Sequence, residues 1–172
     1  MGTAIIALVT FGVVNSASGE EDFGFTVYSS IHTLGIEERS AAFISDIFPQ
    51  GKPVVLNFWG GLCPPGRAEM PDFQAAFNEF GEGAIFLGLH VGPFTGFGTR
   101  SQAELLLQEL GITYPTAYLD GDPTRDFRIV GLPQTIFCDA NGIQVAREGF
   151  FSGTRLNRIM TSTLGLTPAS EG

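Results

Sequence analysis

One stretch limits what this chain can fold into more than any other: KPVVLNFWGGLCPPGRAEMP, residues 52–71. Val54, Val55, Leu56, Phe58 and Trp59 leave Asn57 as the only polar side chain, so neither face of this run can meet water. A strand covered on both faces belongs in the middle of an α/β sheet. Pro64 and Pro65 suit a helix's first turn, where a missing N–H would have had no intrahelical partner. The prediction is a strand over 54–59 that turns at Cys63 into a helix. Pro71 removes one backbone bond and should kink that helix, after which Phe73, Phe77 and Phe80 fall at i, i+4 and i+7 as a core stripe ending at Gly81.

The remaining pattern continues the alternation. A strand is predicted over 84–91, and the loop 92–98 leaves its carboxyl end, the edge where open parallel sheets gather their sites. Ser101 and Glu104 form the pattern of a capping box before a helix over 105–110 that stops at Gly111. A strand follows over 114–119, and Asp122-Pro123 predicts a short helix reaching Val130. Strands over 134–138 and 143–150 flank Asp139-Ala140-Asn141-Gly142, whose Asn-Gly pair supplies the positive dihedrals of a tight hairpin. Leu156, Ile159, Met160 and Leu164 mark a closing amphipathic helix ending at Gly165, with residues 167–172 expected to fray. Upstream, Phe23, Phe25 and Val27 alternate as in a strand, and a short helix is expected to end near Pro49.

At 172 residues and 44% hydrophobic content, the chain buries one good core rather than two. Residues 20–166 are read as that domain. Nine basic against eighteen acidic residues give a net charge of -9, which repels nucleic acid and anionic membrane alike and leaves a protein or small thiol as the expected partner. The only cysteines are Cys63 and Cys138, and the only histidines, His32 and His90, lie far from each other and from both cysteines in sequence. No disulfide framework or zinc site can be built from them, so neither metal nor cofactor is expected.

Residues 1–19 carry the apolar run AIIALVTFGVV and then Asn15-Ser16-Ala17-Ser18-Gly19, like an export signal leading to a small-residue cleavage site. Yet no Lys or Arg precedes Arg39, and the run is shorter than the ~18 residues a membrane span needs. An atypical export signal, the remnant of a longer anchor and a buried strand all fit. Export or anchoring is preferred, which places the protein in the cell envelope with its N-terminus as the only membrane attachment.

The order strand, Cys turn, helix, strand, helix, strand, helix, Pro, hairpin, helix resembles the thioredoxin fold. With a helix and strand added between Arg100 and Leu119, it is similar to the TlpA/ResA-like branch of envelope-attached thiol-disulfide oxidoreductases, which often reduce apocytochromes or other exported proteins. The matching blocks are Gly51-Lys52-Pro53-Val54-Val55-Leu56-Asn57-Phe58-Trp59, Cys63-Pro64-Pro65, Arg67-Ala68-Glu69-Met70-Pro71, Gly131-Leu132-Pro133-Gln134-Thr135 and Asp139-Ala140-Asn141-Gly142. The resemblance implies a three-layer α/β fold, a central mixed sheet flanked by helices, with an extra helix-strand insertion and an N-terminal extension. It implies Cys63 as the attacking thiolate, Pro133 as the cis proline facing it and Glu69 as the acid beneath. Substrate contact is assigned by the same likeness to Trp59, Leu62, Pro64, Pro65, Gly66 and Leu132, with exported protein thiols or disulfides and a thiol reductant as partners. Two positions depart from the pattern: Leu62 stands where the family usually has Trp, and Gly66 where it has a second cysteine.

From the residues themselves, Cys63 at a helix N-terminus lies among free N–H groups and the positive end of the helix dipole, with Arg67 one turn on. This predicts a pKa below the usual ~8.5. A buried, inert cysteine is the plain alternative. With one thiol, a mixed disulfide must be resolved from outside and should persist. Cys138 lies five residues past Pro133 along a strand, about 16 Å at ~3.3 Å per residue, beyond the ~7 Å a bridge allows, so it reads as a small core hydrophobe. Glu69 is either a buried acid with a raised pKa or a helix-surface residue. Asn57 looks structural. Phe94 and Phe97 either cover the substrate or simply pack their loop. Three functions fit: thiol-disulfide exchange through Cys63, a non-catalytic module holding extended peptide beside Pro133, and a one-cysteine peroxidase. Against the last, such enzymes usually carry Thr three residues before the cysteine, and Gly60 stands there.

Overall fold

The computed structural model describes residues 24–27, 41–43 and 51–169. The apolar segment 1–19, the helix expected before Pro49 and the last three residues of the tail lie outside the described residues. Along the chain come β1 (Gly24–Val27), β2 (Ala41–Phe43), β3 (Val54–Trp59), α1 (Pro64–Phe80), β4 (Ile85–His90), α2 (Gly92–Thr95), α3 (Arg100–Leu110), β5 (Thr116–Leu119), β6 (Gln134–Cys138), β7 (Gln144–Glu148) and α4 (Gly153–Arg158). A π-helical turn, Ile159–Thr163, continues α4.

Among the described residues the strands form one mixed sheet in the order β2-β1-β5-β4-β3-β6-β7. β3, β4 and β5 run parallel, while β6 and β7 on one side and β1 and β2 on the other pair antiparallel. All six residues of β3 are buried, as a run with no polar face requires. On one face of the sheet, Val55 and Trp59 pack with Met70 and Phe73 of α1, Leu106 of α3 and Leu156 of α4. On the other, Leu56, Phe58 and Ile136 pack with Phe127, whose ring centroid lies 5.0 Å from that of Phe58. The expected α/β architecture, with its inserted helix and strand, is therefore the one observed.

Several local expectations give way to tertiary detail. Thr99, not Ser101, caps α3: its hydroxyl accepts from the Gln102 N–H while the Gln102 side chain accepts from the Thr99 N–H, so the helix starts at Arg100. The loop 92–98 contains the short helix α2, closed by Gly96 at φ 75°. The segment predicted as a helix from Asp122 to Val130 is a set of turns. Asp122 Oδ1 accepts from the Thr124 N–H, and Arg128 enters the left-handed region at φ 49°. A segment this short does not nucleate a helix on its own, and burying Phe127 fixes its path instead. In the β6–β7 hairpin only Gly142 has a positive φ, 78°. Asp139 Oδ1 binds the N–H groups of Asn141 and Ile143, which holds Asn141 in an ordinary conformation.

Candidate active site

β3 delivers the chain to a turn in which the Cys63 N–H donates to the Gly60 carbonyl at 3.0 Å, and Cys63 then caps α1. The turn is held from above by the loop 92–98, because the Leu62 N–H donates to the Phe97 carbonyl at 2.9 Å. That approach explains Gly60. A Cβ there would stand 2.5 Å from the Phe97 Cβ, closer than atoms can pack. The space a threonine would need at position 60 is thus already filled.

Leu132-Pro133 is cis, as expected. A Cβ built on Gly66 would lie 3.5 Å from the Cys63 Sγ and 3.9 Å from the Pro133 Cβ, so these three residues meet at one spot. Both distances are ordinary van der Waals contact. The spot therefore has room for a Cβ on residue 66.

The expectation of a depressed Cys63 pKa is not met. The residue is 1% exposed, and loss of hydration raises its thiol pKa more than the Gly66 N–H, the local helix-terminus donor, lowers it. A negative Glu69 would raise it further. Arg67 offers no relief, since its guanidinium forms a two-pronged ion pair with Glu109 of α3.

Glu69 is the buried acid and not the surface residue: burial pushes its pKa up to about 8. The Asn57 side chain opposes that rise, as does the Phe151 backbone, while Asp72 adds to it. Asn57 Nδ2 donates to Glu69 Oε1 at 3.0 Å and to Thr135 Oγ1 at 3.1 Å. Asn57, read from sequence as structural, is therefore the group that holds the acid. Thr135 and Phe151 were not anticipated as its neighbours. The signal available was one polar residue in an otherwise apolar strand, with Thr135 directly opposite Asn57 in the sheet register.

The expected substrate contacts divide. Leu62 is 54% exposed, Pro64, Pro65, Phe94 and Phe97 are exposed, and Leu132 is half-buried. Gly66 is buried. Trp59 is fully buried, packed 5.0 Å from the His90 ring, and stands behind the site rather than on its surface. An open groove of about 440 Å³ runs beside Pro133 between Val130 and Phe150. Cys138 sits in the core at 2% exposure, with no disulfide to Cys63. Among the described residues, no cluster of His, Cys, Asp and Glu could hold a metal ion, and no helix is long and apolar enough to cross a membrane.

The chain is 30% identical over 106 residues to the thiol-disulfide oxidoreductase ResA of Oceanobacillus iheyensis, covering 61% of this chain and 52% of that protein. It is 34% identical over 101 residues to the thiol:disulfide interchange protein DsbE of Escherichia coli, covering 58% and 50%. The chain thus spans about half the length of these curated relatives. A thiol-disulfide oxidoreductase from Bacteroides fragilis superposes with a TM-score of 0.63 over 84% of this chain and 98% of its own, at 17% identity, a likeness of fold alone. The sequence pattern of the AhpC/TSA family matches residues 37–146, well over half of the chain, so the chain belongs to that family, and proteins named thiol-disulfide oxidoreductase ResA and thiol:disulfide interchange protein DsbE are among its relatives.

Proposed function

We propose that the protein exchanges disulfides with exported protein thiols in the cell envelope through Cys63 alone. The sulfur attacks one sulfur of a partner's disulfide: the new S–S bond forms as the partner's breaks, and the departing thiolate takes up a proton. The mixed disulfide is then opened at the partner's sulfur by a thiol from outside, either a further cysteine of the partner, which leaves a rearranged partner disulfide, or a small thiol reductant, which stays bonded to the partner; Cys63 departs as the thiolate and regains its proton. The observation that carries this reading is the space at Gly66, 3.5 Å from the Cys63 Sγ, where a second sulfur would complete an intramolecular cycle. Cys63 acts slowly at neutral pH, because its raised pKa leaves little thiolate.

A second reading, a module that holds extended peptide in the groove beside Pro133 without chemistry, draws support from the burial of Cys63. Intact mass after incubation with an aromatic disulfide, and separately with peroxide, distinguishes the readings. One mixed disulfide on Cys63 is expected. Protection of Cys63 in the native protein, with labelling only after unfolding, supports the peptide module, and an oxygen adduct without a mixed disulfide supports a peroxidase. Gly66→Cys should form a reversible bridge to Cys63 and gain reductase activity on a protein disulfide such as insulin. A variant that folds but never bridges would overturn the assignment of the site.

A further inference from the structure

The groove beside Pro133 is lined by residues 130–134 on one side and 147–150 on the other. Each side carries a large apolar residue left bare, Val130 at 96% exposure and Phe150 at 60%. Two such residues on one concave site mark a binding surface, where the same residues scattered singly would not. Arg147 lines the same groove, half-buried and fixed by neutral acceptors: its Nη1 donates to the Phe127 carbonyl at 2.9 Å and its Nη2 to Gln144 Oε1 at 3.2 Å. Glu148 beside it is engaged by Arg155. Arg67, Arg100 and Arg155 each pair with a glutamate, whereas among the described residues neither Arg147 nor Arg128 meets a carboxylate. Burial lowers the Arg147 pKa, and the positive charge of nearby Arg128 lowers it further. In a chain of eighteen acidic and nine basic residues, two unpaired arginines by a bare apolar groove run against the overall charge.

We propose that this groove docks an extended segment of a partner protein, with apolar side chains against Val130, Leu132 and Phe150 and a carboxylate on Arg147 and Arg128. A carboxylate is the partner these guanidiniums lack, and its two oxygens match their fork of N–H donors. A small acidic thiol would satisfy the charge but has no apolar side chains for the two bare walls. The sheet register sets how far the charge lies from the sulfur. Arg147 of β7 stands opposite Ile136 of β6, three residues past Pro133 or about 10 Å at ~3.3 Å per residue. A segment whose cysteine reaches Cys63 beside Pro133 therefore carries its Asp or Glu about three positions away. That spacing rests on the proposed thiol exchange, whereas the preference for apolar, acidic segments does not.

Binding is read without thiol chemistry by fluorescence anisotropy, using a labelled peptide with Ser at its centre, Asp three residues to either side and apolar residues elsewhere. It should bind about tenfold more tightly than the same peptide with Lys in place of Asp, and Arg147→Gln should bring the two within about twofold. Because Arg147 also holds the Phe127 carbonyl, Arg128→Gln, at an exposed side chain, gives a second reading and should lower the preference to about threefold. Equal binding of the two peptides, binding of neither at millimolar concentration, or a preference that survives both substitutions overturns the proposal. So does displacement of the peptide by S-methylglutathione at a matching concentration, which would give the groove to a small acidic thiol, or loss of binding as the protein self-associates, which would give it to a second copy. With Cys at the centre, carried as an aromatic disulfide, the Asp peptide should also label Cys63 faster than the Lys peptide. Preferential binding of the Ser peptide without any mixed disulfide would sink the thiol exchange and leave the groove, and labelling at equal rates with equal binding would do the reverse.

Discussion

Cys63 and Cys138 are equally hidden, at 1% and 2% exposure, and burial raises the pKa of both. What surrounds each sulfur differs. Cys138 closes β6, paired to Val54 on one side and Gln144 on the other, and its thiol is pushed up to about 12, with the Asp139 carboxylate adding to the desolvation and Arg147 opposing it. Cys63 begins a helix, so the Gly66 N–H pulls against desolvation, and its sequence neighbours Leu62, Pro64 and Pro65 are exposed. Exposure therefore does not distinguish the two thiols. They differ in that a backbone donor faces the Cys63 sulfur and that its sequence neighbours are exposed.

Removing each sulfur in turn tests that contrast most severely. Cys63→Ser should reduce the mixed-disulfide yield to background in the intact mass spectrum, whereas Cys138→Ala should leave it unchanged; labelling of Cys138 in the native wild type would break the distinction. Glu69→Gln should have the next largest effect, on stability. Because the folded pKa of Glu69 is raised from 4.5 to about 8, the folded chain keeps a proton that the unfolded chain releases in that range. Its contribution is full below pH 4.5 and is lost as pH rises through 8. Urea unfolding should then show the wild type losing about 4 kcal/mol relative to Glu69→Gln between pH 5 and pH 9. Parallel pH curves would mean the carboxyl is not held neutral.

Smaller changes sharpen the comparison. Gly66→Ala adds a Cβ in ordinary contact with the Cys63 Sγ, so it should stabilise α1 by about 0.5 kcal/mol in thermal unfolding and slow Cys63 alkylation only a few-fold. Complete protection of Cys63 in that variant would show that its access runs through position 66. Arg67→Ala should have the least effect: with the guanidinium committed to Glu109, the pH profile of Cys63 alkylation should superimpose on that of the wild type. An upward shift would restore to Arg67 the role its place one turn along the helix suggests.

The parts that were legible in the chain are those set by short-range chemistry. An apolar run without a wet face gave β3 and two prolines gave the start of α1, whereas the cis bond at Leu132-Pro133 was implied by the family resemblance and not by local chemistry. The misses have a common origin. The turns around Phe127 and the capping of α3 by Thr99 depend on which side chain is buried or bonded at a distance, and local pattern does not contain that.

The amino-acid order alone thus fixed the β-strand, the cysteine turn, the helix after it and the absence of a second thiol at residue 66, because each follows from backbone sterics or from the residue's own atoms. The sign of the Cys63 shift, the burial of Glu69 and the role of Asn57 were decided only by tertiary packing. Hydration is lost, and buried polar groups find their partners, only when strands far apart in sequence close over them.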